Sequence, residues 1–507
     1  MMFGSYKKYF LQFAAATPAL LTVLSFATHL GWTSPALRQY LSGEAPITLT
    51  SDEGSWFVSI ISIGCIAGLL GMMLTSNIVG RKLTMVVVTV PLLAGWLLII
   101  IAKNVTVLYI ARLIAGFGMG MSATAVPIYT GEIATDDLRS ALSSSFQIML
   151  ASGPIIEYSI VPFMTVTNTA ALSAILPLVI LLMIYWMPES PYYLLMKNKE
   201  DEAKKVLSKL RGSTEVDNEL SLMKKTVKYQ MANRSTFIEL FRRRNNRRGL
   251  FIMFGMYTIQ ASCGTVVILF YAHVIFEKIH FDKVSPNILA LLMIILPCVS
   301  SCISTGLVEH IGKKPLLIVS LTLCFLCMLC IGLFFHFQSL SYDVMSISWL
   351  PAMCLIGFKF VHGLGIAGIP FIQLGELFSA NIKVHAVCTC KCYLFILHFC
   401  SNKLFQILSD NLGFFVPFYI FAGFSLFGVV FTIFCVPETT GKSLHEIQLL
   451  LGAKYADDAN AMNNTQIKDV KVNGTETNGE NNLQLKEVKV NGTNKNGIKV
   501  DNRTTKC

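Results

Sequence analysis

Long uncharged stretches recur along the chain and are separated by short polar connections. A helix needs about 20 residues to cross the roughly 30 Å hydrocarbon core of a bilayer. Runs of that length lie at about 10–32, 56–79, 83–102, 107–127, 141–163, 168–187, 250–273, 286–308, 315–337, 349–373, 384–407 and 413–436. The pattern predicts an all-α membrane protein with twelve transmembrane helices.

The composition excludes a soluble enzyme of this length. Hydrophobic residues make up 53% of the chain and charged residues only 14%, whereas soluble proteins carry about 25% charged residues. The mean hydropathy is +0.59. The first apolar run, from about Phe10 to Trp32, is too long for the core of a cleavable signal peptide.

Basic residues occupy alternate connections between the runs. They fall at Lys7, Lys8, Arg81, Lys82, Arg139, the 188–249 segment, Lys313, Lys314 and Lys383. Segment 188–249 alone holds 15 basic and 8 acidic residues, which fits a cytoplasmic loop better than a nucleic-acid site. Because cytoplasmic loops are enriched in Lys and Arg, both termini are predicted to be cytoplasmic in a multi-pass membrane protein.

The second half of the chain repeats the first. Three motifs recur in the same order: Val79–Lys82 and Ile311–Lys314, Glu132…Arg139 and Glu376…Lys383, Pro188–Pro191 and Pro437–Thr440. Three matches in one order indicate a duplication. Two similar six-helix halves around a site at the bilayer midplane are typical of secondary transporters that work by alternating access.

The repeats and the polar segments predict four regions. They are an N-terminal six-helix bundle (1–187), a cytoplasmic linker with short surface helices (188–249), a C-terminal six-helix bundle (250–436) and a cytoplasmic tail (437–507). The tail is polar and Asn/Lys/Gly-rich beyond about residue 452, so it cannot bury enough apolar surface to fold. Any cytoplasmic partner is expected to bind there.

Several motifs resemble the sugar-porter branch of the major facilitator superfamily. They are Gly31–Leu37, Pro188–Leu195, Lys209–Gly212 and Pro437–Ile447, and they are similar in particular to those of arthropod facilitated trehalose and hexose transporters. The resemblance runs from about residue 10 to 450. It implies the major facilitator fold and facilitative transport of a hexose or a trehalose-type disaccharide, with no enzymatic activity, cofactor or metal.

The resemblance also implies a charged gate at the cytoplasmic side. In the family, such ion pairs hold the halves together when the site faces outward and break when it faces inward. The corresponding residues here are Arg81, Lys82, Glu132, Arg139, Glu189, Lys313, Lys314, Glu376, Lys383 and Glu438.

Substrate contacts carry over only in part. The resemblance implies that sugar is bound by Gln147, Gln260, Tyr271, His362 and Phe371. The chain departs from the family at Asn77, Ile78, Ala261, Val266 and Phe371. Lost amide and indole hydrogen bonds cost on the order of 1–3 kcal/mol each in a dry site. A non-transporting sugar sensor or degenerate paralogue is therefore the second hypothesis.

Ionisable residues inside the apolar runs are a further group of functional candidates. They are Glu157, Lys359, His362, Lys391, His398 and Lys403. The last three imply either that span eleven faces water or that its predicted bounds are wrong. Proton-coupled relatives carry an Asp in span one where this chain has Thr33. That favours facilitated diffusion, while Glu157 keeps proton symport open as a third hypothesis.

Overall fold

Helices form every predicted crossing. The computed structural model describes residues 2–75, 78–232, 237–281, 283–378, 380–442, 446–447 and 450–451. Within these residues twelve segments are long and apolar enough to span a membrane. Two predictions lie outside them, namely Asn77 and the tail beyond residue 452.

The helices follow one another with short connections. The first six spans contain α1 (Met2–Ser42), α2 (Ser51–Thr75), α3 (Arg81–Ile101), α4 (Val105–Ile133), α5 (Asp136–Ile160) and α6 (Val166–Ile184). The linker forms α7 (Pro191–Met196), α8 (Glu200–Arg211), α9 (Asp217–Ala232) and α10 (Glu239–Arg242). The last six spans contain α11 (Arg244–Ser262), α12 (Thr265–Ile279), α13 (Pro286–Ile311), α14 (Lys313–Ser339), α15 (Trp349–Leu364), α16 (Ile369–Glu376), α17 (Ala380–Asn411) and α18 (Val416–Cys435).

Spans seven and ten are each built from two helices, although the sequence predicts them as continuous. Gly264 separates α11 from α12 with φ +89°, a left-handed conformation that glycine adopts without steric cost. Span ten breaks between Leu364 and Ile369. Lys359 of α15 connects span ten to the break of span seven, because its ammonium donates to the Thr265 carbonyl at 2.9 Å. Broken helices of this kind are tolerated at membrane depth where they border a cavity.

Glycines let α2 and α4 pack closely. A Cβ placed on Gly64 would lie 2.9 Å from the Cα of Gly116 and from the backbone nitrogen of Phe117. The backbones of the two helices are therefore in direct contact, as small residues permit in membrane bundles.

The linker helices pack on their own apolar cluster beneath the first half. Leu194, Leu207 and Leu220 belong to this cluster. Arg211 fixes it to the bundle by donating to the Ile133 carbonyl at the end of α4 (3.0 Å) and pairing with Glu219 (2.7 Å).

The bundle has two chemically different ends. We call the end that carries Arg81 and Lys313 the basic face, and the end that carries Arg38 and Asp52 the opposite face. Between them the outward side chains are apolar, as Ile63 and Leu326 are at 40% and 51% exposure. Such a surface is suited to lipid contact.

Candidate functional site

A cavity of about 600 Å³ lies between the two halves. The first half lines it with α1, α2, α4 and α5, and the second half lines it with α12, α16 and α17. Its walls are mostly apolar side chains, such as Phe26, Phe146 and Phe270. A pocket of this size between helix bundles can enclose a small organic molecule.

The cavity extends to the basic face. Its lining continues through Pro127, Thr130 and Gly131 near the end of α4 to Arg139 and Ser143 on α5. Arg139 and Ser143 are exposed. Solvent therefore reaches the cavity from this end.

The opposite face is closed by bonds between the halves. Arg38 of α1 pairs with Glu277 of α12 at 2.6 Å, and Lys403 of α17 pairs with Asp52 of α2 at 2.5 Å. Ser51 donates to Asp410 at 2.8 Å.

A buried layer of hydrogen bonds lies beneath these ion pairs. The Ser34 hydroxyl lies 2.9 Å from Nδ1 of His273, and the Tyr158 hydroxyl donates to the Leu269 carbonyl at 2.5 Å. These contacts also join the first half to the second, so the cavity is closed to solvent at the opposite face.

At the basic face, the first half holds its predicted gate residues in one cluster. Arg81 makes a two-pronged contact with Glu132, with Nη2 at 2.8 Å and Nε at 3.0 Å from the two carboxylate oxygens. Glu189 accepts the backbone N–H groups of Arg81 (2.7 Å) and Lys82 (3.2 Å). A carboxylate at a helix N-terminus is stabilised by the unpaired N–H groups and the helix dipole.

The second half builds the same cluster again. The Lys313 ammonium lies 2.5 Å from Glu376, and Glu438 accepts the N–H groups of Lys313 (3.3 Å) and Lys314 (2.8 Å). The ammonium groups of Lys82 and Lys314 also match, since each donates to a carbonyl near the end of its half's sixth span. Each of the two clusters is formed by residues of one half only.

The surroundings of Glu438 favour its charged form. Partial burial alone would raise the pKa of this carboxyl, but hydrogen bonds from Thr440 and from the N–H groups of Lys313 and Lys314 outweigh it, and the pKa is lower than usual. Glu438 is therefore an anion at neutral pH. Arg139 and Lys383, the remaining predicted gate residues, are exposed at the same face.

The predicted sugar contacts divide into two groups. Gln147 and Phe371 line the cavity from opposite halves. Gln260, Tyr271 and His362 are buried and lie outside the lining, at 8%, 1% and 5% exposure. Each of these three has a buried polar atom without a hydrogen-bond partner in the part of the chain that the structure describes.

Span eleven does face the cavity. Lys391 and His398 of α17 are among its lining residues, which explains their presence in an apolar run. The Lys391 ammonium crosses to the other half and donates to the Ala123 carbonyl at 2.9 Å. Of the two explanations that the sequence left open, the first therefore fits Lys391 and His398, whereas Lys403 lies outside the cavity lining and pairs with Asp52 at the opposite face.

Arg112 is a buried cation that sequence reasoning missed. It is fully buried in α4 and donates to the His29 carbonyl (3.0 Å) and the Thr33 hydroxyl (2.6 Å), with its guanidinium over the Phe57 ring. Its position inside the predicted fourth span was the signal that could have identified it, because charge at that depth marks functional candidates.

Glu157 lies away from the central cavity. It borders a separate pocket of about 110 Å³ between α5 and α6 and accepts a hydrogen bond from Ser173 at 2.7 Å. The side chain is 2% exposed.

Comparison with known proteins gives sequence relatives along most of the chain. Residues 15–451 match the family described as sugar (and other) transporter. A facilitated trehalose transporter Tret1-2 homolog from Drosophila simulans is 30% identical, with 87% of this chain and 90% of that protein covered. The facilitated trehalose transporter Tret1 of Apis mellifera ligustica is 29% identical over 87% of this chain and 88% of that protein.

Solved structures with the same fold are also found. The inward open conformation of the xylose transporter XylE from E. coli superposes with a TM-score of 0.71 at 18% identity and covers 87% of this chain and 99% of that one. The proton:xylose symporter XylE bound to 6-bromo-6-deoxy-D-glucose gives a TM-score of 0.66 at 20% identity, covering 88% and 100%. With twelve spans in two repeated halves and a family match over residues 15–451, the chain belongs to the sugar transporter family of the major facilitator superfamily.

Proposed function

We propose that the protein carries a hexose or a trehalose-type disaccharide across the plasma membrane by facilitated diffusion. The observation that carries this proposal is the central cavity, which reaches solvent at the basic face and is closed by bonds between the halves at the opposite face. A cavity open to one side at a time is what alternating access requires. The trehalose transporters among the relatives supply the substrate class.

The basic face is assigned to the cytoplasm in this proposal. Arg81, Lys313 and the linker lie at this end, and cytoplasmic loops are enriched in Lys and Arg. The structure then corresponds to an inward-open state with both termini in the cytoplasm.

The gate follows from the same assignment. In the inward-open state, the described ion pairs of the basic face stay within each half. We expect the two clusters to meet across the interface when the cavity opens outward, because their charges lie beside the mouth that must close. Such a pair of arrangements is a two-state element that substrate can bias.

Facilitated diffusion is favoured by the surroundings of Arg112. Its nearest side-chain acceptor is the Thr33 hydroxyl, which does not change protonation in the physiological range. Glu157, the carboxylate that suggested proton symport, borders a side pocket away from the substrate cavity. In a symporter, addition of sugar would acidify the cytoplasm.

A sugar sensor remains the alternative in a different class. The observation that favours it is the apolar lining of the cavity. Val266 lines the cavity at a position where the family has an amide, and Ala261, which also replaces an amide, is buried. A sensor would be stabilised by sugar without carrying it, and its partners would bind through the cytoplasmic tail. Ala261→Gln with Val266→Asn should then raise sugar binding.

Uptake of labelled glucose, fructose and trehalose into transporter-null cells tests the main proposal. Saturable uptake is expected, and Gln147→Leu should reduce it at least several-fold, because a hydroxyl of the sugar loses its partner in the cavity. The matched control is Gln338→Leu, at the far end of α14 and outside the cavity lining. Expression at the cell surface without saturable uptake of any of the three sugars would refute the proposal.

A further inference from the structure

The described lining of the central cavity contains positive charge and no carboxylate. Lys391 and the imidazole of His398 line its middle, and Arg139 lies at its mouth, so the charge comes from Lys391 and Arg139. Among the described residues that line it, none is Asp or Glu. A cavity for neutral sugars has no need of an ammonium group, and burying one without a counter-ion is costly.

Lys391 differs from Lys313 and Lys403, because its described contacts include no carboxylate. Lys313 and Lys403 each reach a carboxylate at 2.5 Å. Within the described residues, the ammonium of Lys391 has one hydrogen-bond acceptor, the Ala123 carbonyl. An ammonium has three donors, so the charge and part of the donor capacity of Lys391 are left for a ligand.

The two side chains mark the ends of one strip on α17. Lys391 and His398 are seven residues apart, so they share a helix face and are separated by about 10 Å along the axis. Leu394 and Phe395 line the cavity between them. The strip therefore offers a ligand in the cavity a cation, then an apolar surface, then an imidazole.

We propose that the preferred ligand of this cavity is a sugar-sized organic acid, a hexuronate by chemical class, whose carboxylate pairs with Lys391. This inference rests on the proposed function, because it assigns a charge to the substrate of the same cavity. A carboxylate supplies the counter-ion that the lining lacks, and charge-assisted bonds are stronger than neutral ones. The Ala123 contact crosses the halves, so a ligand at Lys391 also touches the interface that moves.

The test compares D-glucuronate with D-glucuronamide, which has the same shape and no charge. Thermal stabilisation of the purified full-length protein is measured against the concentration of each compound. We expect half-saturation at a concentration at least about tenfold lower for glucuronate, equivalent to about 1.4 kcal/mol. Lys391→Met should bring the ratio of the two half-saturating concentrations close to one. Lys391→Arg should preserve the preference for glucuronate over glucuronamide.

Lys359→Met is the matched control. Lys359 is also a lysine of a spanning helix that donates to a carbonyl at 2.9 Å, but it does not line the cavity. The ratio between the two compounds should be unchanged in this variant. Equal binding of the two compounds by the unaltered protein, or a preference that survives Lys391→Met, would overturn the inference.

Uptake separates this inference from the proposed function. Labelled glucuronate should enter transporter-null cells that express the protein, and glucose should compete weakly. Saturable glucose uptake with no glucuronate binding refutes the organic-acid inference alone. Glucuronate binding without uptake of any sugar or sugar acid supports the inference and refutes transport.

Discussion

The two ends of the bundle use ion pairs differently. At the basic face, Arg81–Glu132 and Lys313–Glu376 each lie within one half. At the opposite face, Arg38–Glu277 and Lys403–Asp52 join the halves. The first kind stiffens each half as a body, and the second kind holds the two bodies together at one end. Rigid halves with a breakable contact are what a rocking movement requires.

The pairs also differ in burial. The side chains of Arg81 and Glu132 are 7% and 17% exposed, whereas those of Lys403 and Asp52 are 16% and 72% exposed. Loss of one partner from a buried pair is costly because the other charge stays buried. Exposed pairs contribute roughly 0–1 kcal/mol, so breaking the ion pairs of the opposite face costs little.

Removal of the buried cation should have the largest effect. Arg81→Ala leaves Glu132 uncompensated and is expected to cost about 3 kcal/mol, which lowers the midpoint of thermal unfolding by several degrees. Lys82→Ala is the control, because its exposed ammonium donates only to the Tyr185 carbonyl within the described contacts. Equal losses in the two variants would show that burial of the pair is unimportant.

The repeat in the second half should be less sensitive. Lys313→Ala removes the short bond to Glu376, which is 30% exposed, and a 3.3 Å bond to the Thr439 hydroxyl. Because Glu376 stays partly solvated, we expect a loss of about 1–2 kcal/mol. The measurement is the same thermal unfolding experiment with Arg81→Ala beside it. A larger loss at Lys313 than at Arg81 would reverse the ranking by burial.

Opening the opposite face should shift the conformational equilibrium with little loss of stability. Lys403→Met removes the ion pair with Asp52, which contributes about 1 kcal/mol to the closed opposite face. Loss of that free energy raises the population of the outward-open state roughly fivefold. Cys65 lines the cavity, so its labelling by a membrane-impermeant thiol reagent from outside should rise.

Two further variants make that labelling experiment specific. Cys65→Ser in the Lys403→Met background shows how much labelling comes from the other cysteines. The labelling of Cys65 is then the difference between the two variants. The exchange of Asp52→Lys with Lys403→Asp should restore the original labelling. Unchanged labelling of Cys65 in Lys403→Met would show that this pair does not close the opposite face.

The smallest effect is expected at Glu438, through pH. The pKa of Glu438 is lowered in the folded state. Its contribution to the free energy of unfolding is therefore complete at pH values above the pKa of Glu in the unfolded chain, about 4.3. The contribution is lost as the pH falls through the folded pKa. Glu438→Gln should remove less than about 1 kcal/mol at pH 7 and flatten the loss of stability below about pH 4. A difference between the variant and the unaltered protein that is as large at pH 3 as at pH 7 would contradict this account.

The polar residues of the spans show how far the sequence leads. Lys391 and His398 were conspicuous as charges in an apolar run, and the structure places both in the cavity. Gln147 and Phe371 also line it, but Gln260, Tyr271 and His362 are buried behind it. The outcomes differ by which face of its helix each residue occupies, and hydropathy along the chain does not contain that orientation. Arg112 escaped notice because one charge hardly lowers the mean hydropathy of a long apolar run.

The sequence by itself determined the twelve crossings, the duplicated halves and the family, because the need to cross hydrocarbon is met by each segment separately and leaves a local pattern. Only the tertiary structure decided that spans seven and ten break at Gly264 and after Leu364, and that closure occurs at Arg38 and Lys403. Those features depend on which side chains meet across helices that are distant in the chain. Contacts of that kind are a property of the packed bundle.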